Sequence, residues 1–287
     1  PGLQIEFIDE ENYFFKFSAL QGKLLAFYES RPDFIIPDFR YNEIKAFVAR
    51  GLEDFSISRL KEKMSWGIPV PGDDSHVMYV WFDALSNYIS TLGWPTDENN
   101  FKKYWQDGTP TQYCGKDNTR FQGVMWQAML IAAGLPNTYQ VVVNGFITGD
   151  GGVRMSKTLG NVVDPLEIAG EYGTDALRMF LLKEISNSED SPFTKERFHD
   201  AYNANLANGI GNLASRILTL SEKYVEPFSD FLDYKNKIEN FNIQKAMESV
   251  WAAVGDLDKF INNEKPFSVI KTDIEKGKEI IRTCTQK

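Results

Sequence analysis

The chain has 287 residues, 43% of them hydrophobic and 14% aromatic, so it can bury a sizeable core and has the length of about two domains. No run reaches the roughly 18 uncharged apolar residues of a membrane span, the N-terminal stretch has the wrong charges for a secretory signal, and Cys114 and Cys284 offer neither a disulfide framework nor a zinc spacing; the expectation is a cytoplasmic protein with no membrane segment and no metal cage of its own. A net charge of -9 argues against indiscriminate binding to nucleic acid, whose affinity comes mostly from neutralising phosphates, and leaves a local basic or aromatic surface as the remaining route.

In chain order, Leu20, Leu24, Leu25 and Phe27 recur near helical spacing and predict a helix over 18–30, stopped by Arg31-Pro32, and a second helix over 41–50 precedes Gly51. The middle then changes character. HVMYVWFD, TPTQYCGKD and YQVVVNGFI are short β-branched and aromatic runs, with helix-length segments at 84–91 and 118–134 between them. Strand, helix, strand, helix, strand predicts a parallel α/β sheet with buried strands, and such sheets bind ligands beyond the carboxyl ends of their strands. The segments 81–88, 115–117 and 144–158 fall there. After Asp164-Pro165 the chain is expected to be wholly helical: Leu166, Ile168, Ala169, Leu177, Phe180 and Leu181 mark 165–185, one long helix of roughly 45 Å covers 193–225, and 243–262 carries Met247, Val250, Val254, Leu257 and Ile261 at i, i+3, i+4 spacing. This half reads as a helix bundle, with the acidic, polar stretch 226–240 as a loop or linker.

The stretch GGVRMSKTLGN at 151–161 places two cations, Arg154 and Lys157, on a glycine-rich loop. Glycines allow close backbone approach, and two cations on such a loop can close over a polyphosphate whose charge is changing. A solvated turn with incidental charges is the alternative. The Walker pattern GxxxxGK[ST] is absent.

RMSKTLGNVVDP resembles the KMSKS signature of class I aminoacyl-tRNA synthetases in its longer form, and VMYVWFDALSNYIS, GKDNTRFQGVMWQAMLIAAGLP and ENYFFKFSALQGKLLAFY resemble, in the same order along the chain, the methionyl-tRNA synthetase family. The resemblance implies the C-terminal half of a Rossmann-type parallel-sheet catalytic domain over 1–149, the signature loop with a connecting helical region over 150–192, and an incomplete α-helical bundle anticodon-binding domain over 193–287. It also implies methionine activation with ATP and magnesium, then transfer to tRNA(Met).

Residue by residue, Lys157 matches the second lysine of the signature, which in the family holds the ATP phosphates; a flexible ammonium can follow charge as pyrophosphate leaves. Arg154 replaces the first lysine and Thr158 the final serine. Gly115 and Asp117 match the nucleotide-binding glycine and the ribose-associated aspartate, although Asp117 also suits a helix N-cap. Asn144 stands where histidine is common. Trp81, Ala84, Leu85, Tyr88, Gln122 and Trp126 match the methionine pocket, with Gln122 again in a histidine position; an aromatic stripe at this spacing is otherwise simple core. Arg59 in FSISR matches an arginine near the triphosphate, a surface ion pair being the alternative. Asn212 and Arg216, four apart on one helix face, match positions that contact the CAU anticodon, and Phe267 takes the place of a tryptophan on which an anticodon base stacks.

The family also carries a HIGH-type histidine motif and usually a zinc-bearing insert. The only histidines here are His76 and His199, neither in such a motif. A fragment, or one piece of a split enzyme completed by a separate N-terminal polypeptide, is therefore expected, with its activity when isolated left open. Another class I synthetase for an apolar amino acid, or a non-catalytic tRNA-binding module, are the competing readings.

Overall fold

The computed structural model describes residues 9–226 and 243–286, and the chain forms two compact units, Pro1–Asn144 and Gly145–Lys287. All of the expected linker at 226–240 except Glu226 lies outside the described residues.

The first unit carries strands β1 (Phe14–Phe15), β2 (Ile35–Ile36), β3 (Phe55–Ser56), β4 (Ser58–Leu60), β5 (Pro69–Val70), β6 (Asp73–Met78), β7 (Thr111–Gly115) and β8 (Gln140–Asn144). Its helices are α1 (Gln21–Ser30), α2 (Asp38–Ala49), α3 (Val80–Leu85), α4 (Asn87–Ser90), α5 (Glu98–Phe101) and α6 (Trp126–Ala133), the last preceded by a wider π-type turn at Phe121–Met125. β2, β8 and β7 form a parallel sheet in that spatial order. β8 is central and its Val141, Val142 and Val143 are all buried, as expected of a parallel strand covered on both faces. On the α1 and α2 side, Leu24, Tyr28, Ile44 and Val48 pack with Ile35, Val141 and Val143. Tyr28, fully buried, donates to the Gly123 carbonyl at 2.7 Å, which satisfies the one polar atom it brings into this core. A second cluster joins Leu85, Ile89, Phe101, Trp105, Trp126 and Leu130.

The structure corrects the expected strand order. The run HVMYVWFD is not a strand of the parallel sheet: its first three residues end β6, which lies between β4 and β5 in an antiparallel sheet, and helix α3 begins at Val80. The cause is Pro71-Gly72, where a φ of 84° at Gly72 turns β5 straight back into β6. The third parallel strand is instead β2, two residues between Pro32 and Pro37. α2 also starts earlier than expected, at Asp38 behind an extended Pro37.

The same antiparallel sheet is tied to the segment before β1. Asp73 accepts from the Ser75 hydroxyl and amide, from the Tyr13 hydroxyl at 2.9 Å and from His76 Nδ1 at 2.9 Å, and these donors hold its carboxyl well below the usual carboxylate range. His76 Nε2 lies 2.9 Å from the Glu11 carbonyl, and that acceptor together with Asp73 raises the imidazole above its ordinary value. Both ring nitrogens face acceptors, so the imidazolium satisfies both contacts. The folded-state value of His76 is raised, so its stabilising contribution is complete below the unfolded value of about 6.5 and is lost as pH rises through the folded value; that of Asp73 is depressed, so its contribution is present above about 3.9 and lost as pH falls through its folded value. The protection factor of the Tyr13 amide, which donates to Ser58 Oγ at 2.8 Å, is expected to fall as pH rises from about 6.5 through the imidazole's folded value, and to lose that step in His76→Gln.

In the second unit, β9 (Ile147–Thr148) pairs parallel with β10 (Ser191–Pro192), so the region after Pro165 is not wholly helical. α7 (Pro165–Tyr172) and α8 (Thr174–Lys183) are followed by α9 (Lys195–Ala201), capped by Thr194, and α10 (Asn212–Tyr224). The single helix expected over 193–225 is not straight: a π-type stretch at Tyr202–Gly211 joins α9 to α10 and Gly209 leaves helical geometry, with ψ at -107°. α11 (Ile243–Glu264), α12 (Pro266–Thr272) and α13 (Ile274–Gln286) complete the unit. One core here joins Ile168, Leu177, Phe180, Phe193 and Phe198, and another joins Leu213, Ile217, Ile261, Ile280 and Cys284.

Candidate functional site

Gly115 and Asn144 close their strands as a register pair, side by side at the carboxyl ends of β7 and β8. A short turn, Lys116–Asn118, follows directly and leads into the helical stretch that ends as α6. Asp117 lies inside that turn, whose cap position is held by Gly115. Beneath the site, burial pushes the Cys114 thiol up to about 11, with the Asp117 carboxylate adding to the effect. Cys114 is thus a neutral thiol near pH 7, not a nucleophile.

The aromatic candidates gather around the π-type turn. Trp81, 45% exposed, packs against Phe121 with the rings tilted by 32° and their centroids 5.0 Å apart; Gln122 donates to the Tyr88 hydroxyl at 2.9 Å; Tyr88 and Trp126 lie 5.8 Å apart. Leu85 and the 2%-exposed Trp126 are part of the packed second cluster, and Ala84 is half-buried on α3. Trp126 Nε1 and Gln122 Oε1 are buried with no hydrogen-bond partner among the described residues. A buried donor and acceptor left this way each cost about 1–3 kcal/mol.

Arg59, on β4, is held by Ser56 Oγ and the Ser58 carbonyl, both at 2.7 Å, with its guanidinium 4.6 Å from the Tyr79 ring. Among the described residues its charge also acts on the Glu10 carboxyl, which is held below its ordinary value chiefly by the hydrogen bond from Lys63.

In the second unit, Lys157 is exposed and opens a one-turn helix, Lys157–Leu159. Ser156 caps it by accepting from the Leu159 amide at 3.2 Å. Gly151 and Gly152 have φ of 63° and 77°, and Gly160 at 65° ends the turn; a side chain would be strained at each position. Arg154 pairs with Thr148 in an isolated antiparallel bridge and stacks its guanidinium 5.0 Å from Phe146.

In the helical part of this unit, Asn212 is exposed and Arg216 donates to Asp258 Oδ1 at 3.1 Å and Asn262 Oδ1 at 3.2 Å, both on α11. A groove of about 330 Å³ runs between α10 and α11, lined among others by Asn205, Asn208, Asn212, Arg216, Trp251 and Asp258. Phe267, 45% exposed on α12, is not one of its lining residues. Sequence reasoning missed Phe121, Trp251 and Asp258. Asp258 and Asn262 carry a readable signal, two polar acceptors four apart on one helix face, but their match to Arg216 is tertiary.

Among the described residues, no group of three or more His, Cys, Asp or Glu side chains is arranged to hold a metal ion, and no helix is long and apolar enough to cross a membrane.

The profile described as tRNA synthetases class I (M) matches residues 2–218. The chain is 38% identical to the methionine–tRNA ligase of Mesorhizobium japonicum, covering 99% of this chain and 58% of that protein, and 40% identical to that of Brucella suis, covering 95% and 56%. It is also similar to the solved structure of Mycobacterium tuberculosis methionyl-tRNA synthetase in complex with methionyl-adenylate, with a TM-score of 0.85, 35% identity, and coverage of 96% of this chain and 57% of that one. The chain thus spans little more than half the length of these relatives.

Proposed function

The chain belongs to the methionine group of class I tRNA synthetases, and from that membership we propose that it acts as a methionine–tRNA ligase in the cytoplasm. The methionine carboxylate attacks the α-phosphorus of ATP, which enters with magnesium; pyrophosphate leaves, and the aminoacyl group then passes from methionyl-adenylate to the terminal ribose of tRNA(Met). The observation that supports this reading is the register pair Gly115–Asn144 at the carboxyl end of the parallel sheet, with Asp117 in the turn directly after it, because such sheets bind ligands at that end.

Each side chain then has a physical role. Asp117 accepts from the ribose hydroxyls, Gly115 lets the nucleotide approach the backbone, and Asn144 lines the nucleotide site beside it. Arg59, presented by Ser56 and Ser58, and Arg154 supply guanidinium forks for phosphate oxygens; Lys157 supplies a compact ammonium. Trp81, Ala84, Leu85, Tyr88, Gln122 and Trp126 form the methionine pocket, where thioether-to-ring contacts contribute about 0.3–1.5 kcal/mol each. The unmatched polar atoms of Trp126 and Gln122 fit a ligand that is not purely hydrocarbon. Asn212, Arg216 and Phe267 contact the anticodon, Phe267 by stacking. The division into 1–149, 150–192 and 193–287 follows the same roles. β7, at the edge of its sheet among the described residues, is where a further strand from another polypeptide would pair.

Exchange of pyrophosphate into ATP by the chain joined to the N-terminal half of the catalytic domain, run with methionine, leucine, isoleucine or valine, tests the proposal. Methionine alone is expected to support exchange. Dependence on another of the four identifies a sister enzyme, and tight tRNA(Met) binding without any exchange even with that half present identifies a non-catalytic tRNA-binding module.

A further inference from the structure

Lys157 has a four-carbon stem and is exposed, so its reach is set by the backbone that presents it. That backbone is braced from behind by one side chain. After Gly160 turns the chain at φ 65°, Asn161 points back across the loop: its Oδ1 accepts from the Ser156 amide at 2.8 Å and its Nδ2 donates to the Arg154 carbonyl at 3.2 Å. The two bonds clasp the residues on either side of Met155, whose side chain packs against the core around Phe180. The start of the same segment is fixed by the Thr148–Arg154 bridge and by the Gly149 amide donating to the Val153 carbonyl at 2.7 Å. Gly149 also makes room: a Cβ there would stand 3.2 Å from Asn161 Nδ2, while its φ of -78° would otherwise permit alanine.

We infer that Asn161 is the positioning residue for Lys157, a carboxamide brace that fixes residues 154–156 so that only the lysine side chain remains free to follow a moving anionic charge. This rests on the reading of Lys157 as a phosphate-binding group. A primary amide suits the task because the same side chain must accept on one arm and donate on the other. Alanine can do neither, and aspartate can only accept.

Hydrogen exchange and pyrophosphate exchange together test it. In Asn161→Ala the Ser156 amide is expected to exchange at least about tenfold faster, with amides of α8 unchanged; Asn161→Asp, which keeps the acceptor, is expected to retain most of that protection. Gly149→Ala, which crowds the carboxamide without removing it, is expected to shift the Ser156 amide in the same direction as Asn161→Ala but less. In methionine-dependent pyrophosphate exchange, Asn161→Ala is expected to lower kcat about tenfold with the methionine KM nearly unchanged, yet to change the rate less than about twofold when Lys157→Ala is already present. Unaltered Ser156 exchange in Asn161→Ala overturns the brace. The same fold loss with and without Lys157 overturns the positioning role and leaves the functional reading intact. If Lys157→Ala alone has no effect on the rate, the functional reading itself fails and the inference falls with it.

Discussion

Replacing Lys157 by alanine is expected to slow methionine-dependent pyrophosphate exchange by about 10²–10³-fold while the methionine KM changes less than about threefold. The size follows from what the ammonium does in the proposed reaction. Negative charge grows on the departing pyrophosphate only as the bond to the α-phosphorus breaks, so a cation that follows this charge stabilises the transition state more than the ground state. No hydrogen bond or ion pair of Lys157 occupies it among the described residues, so its loss leaves the fold untouched and removes only that term. Lys157→Arg keeps the charge but replaces a compact ammonium with a planar fork, and partial activity is expected. Comparable losses in rate and in methionine affinity would show that the residue serves the amino-acid pocket or the fold instead.

The largest loss of stability is expected at Phe198. Its ring is 1% exposed and sits 5.0 Å from Tyr172, 5.2 Å from Phe180 and 5.8 Å from Phe193. Phe198→Ala removes the ring at the centre of this group and should cost about 3–5 kcal/mol, because the three remaining aromatic rings, drawn from α7, α8 and the residue after β10, cannot collapse together onto the space. Chemical denaturation should show the transition of the second unit moved to lower denaturant while that of the first stays in place. A cost below about 1 kcal/mol would mean that the rings repack.

The parts legible in the sequence were those where residue type and local geometry agree. Val141–Val143 read as a buried parallel strand because nothing polar interrupts them, and Pro165 marked a helix start because it sits at the first helical position behind the capping Asp164. Failures came where a distant contact or a turn decided the outcome. HVM looked like parallel-sheet sequence, and only the preceding Pro71-Gly72 turn shows that it must fold back. β2 is two residues long and had no periodicity to read. α13 contains Gly277, a poor helix former, yet the helix needs it there because a Cβ would lie 2.6 Å from Ile270 Cα on α12. At the candidate site, the signature loop and the aromatic residues could be named from sequence, whereas the Asp258 and Asn262 contacts to Arg216 join residues more than forty positions apart.

The two cysteines have a practical consequence. Both thiols are buried, and Cys114 would have to shed its proton against the pull of its surroundings before it could react. Thiol-directed dyes applied near neutral pH should therefore ignore the folded wild-type chain. A cysteine introduced at exposed Leu159 would carry the label alone, so a fluorophore there can report on the turn beside Lys157 without any native residue being removed.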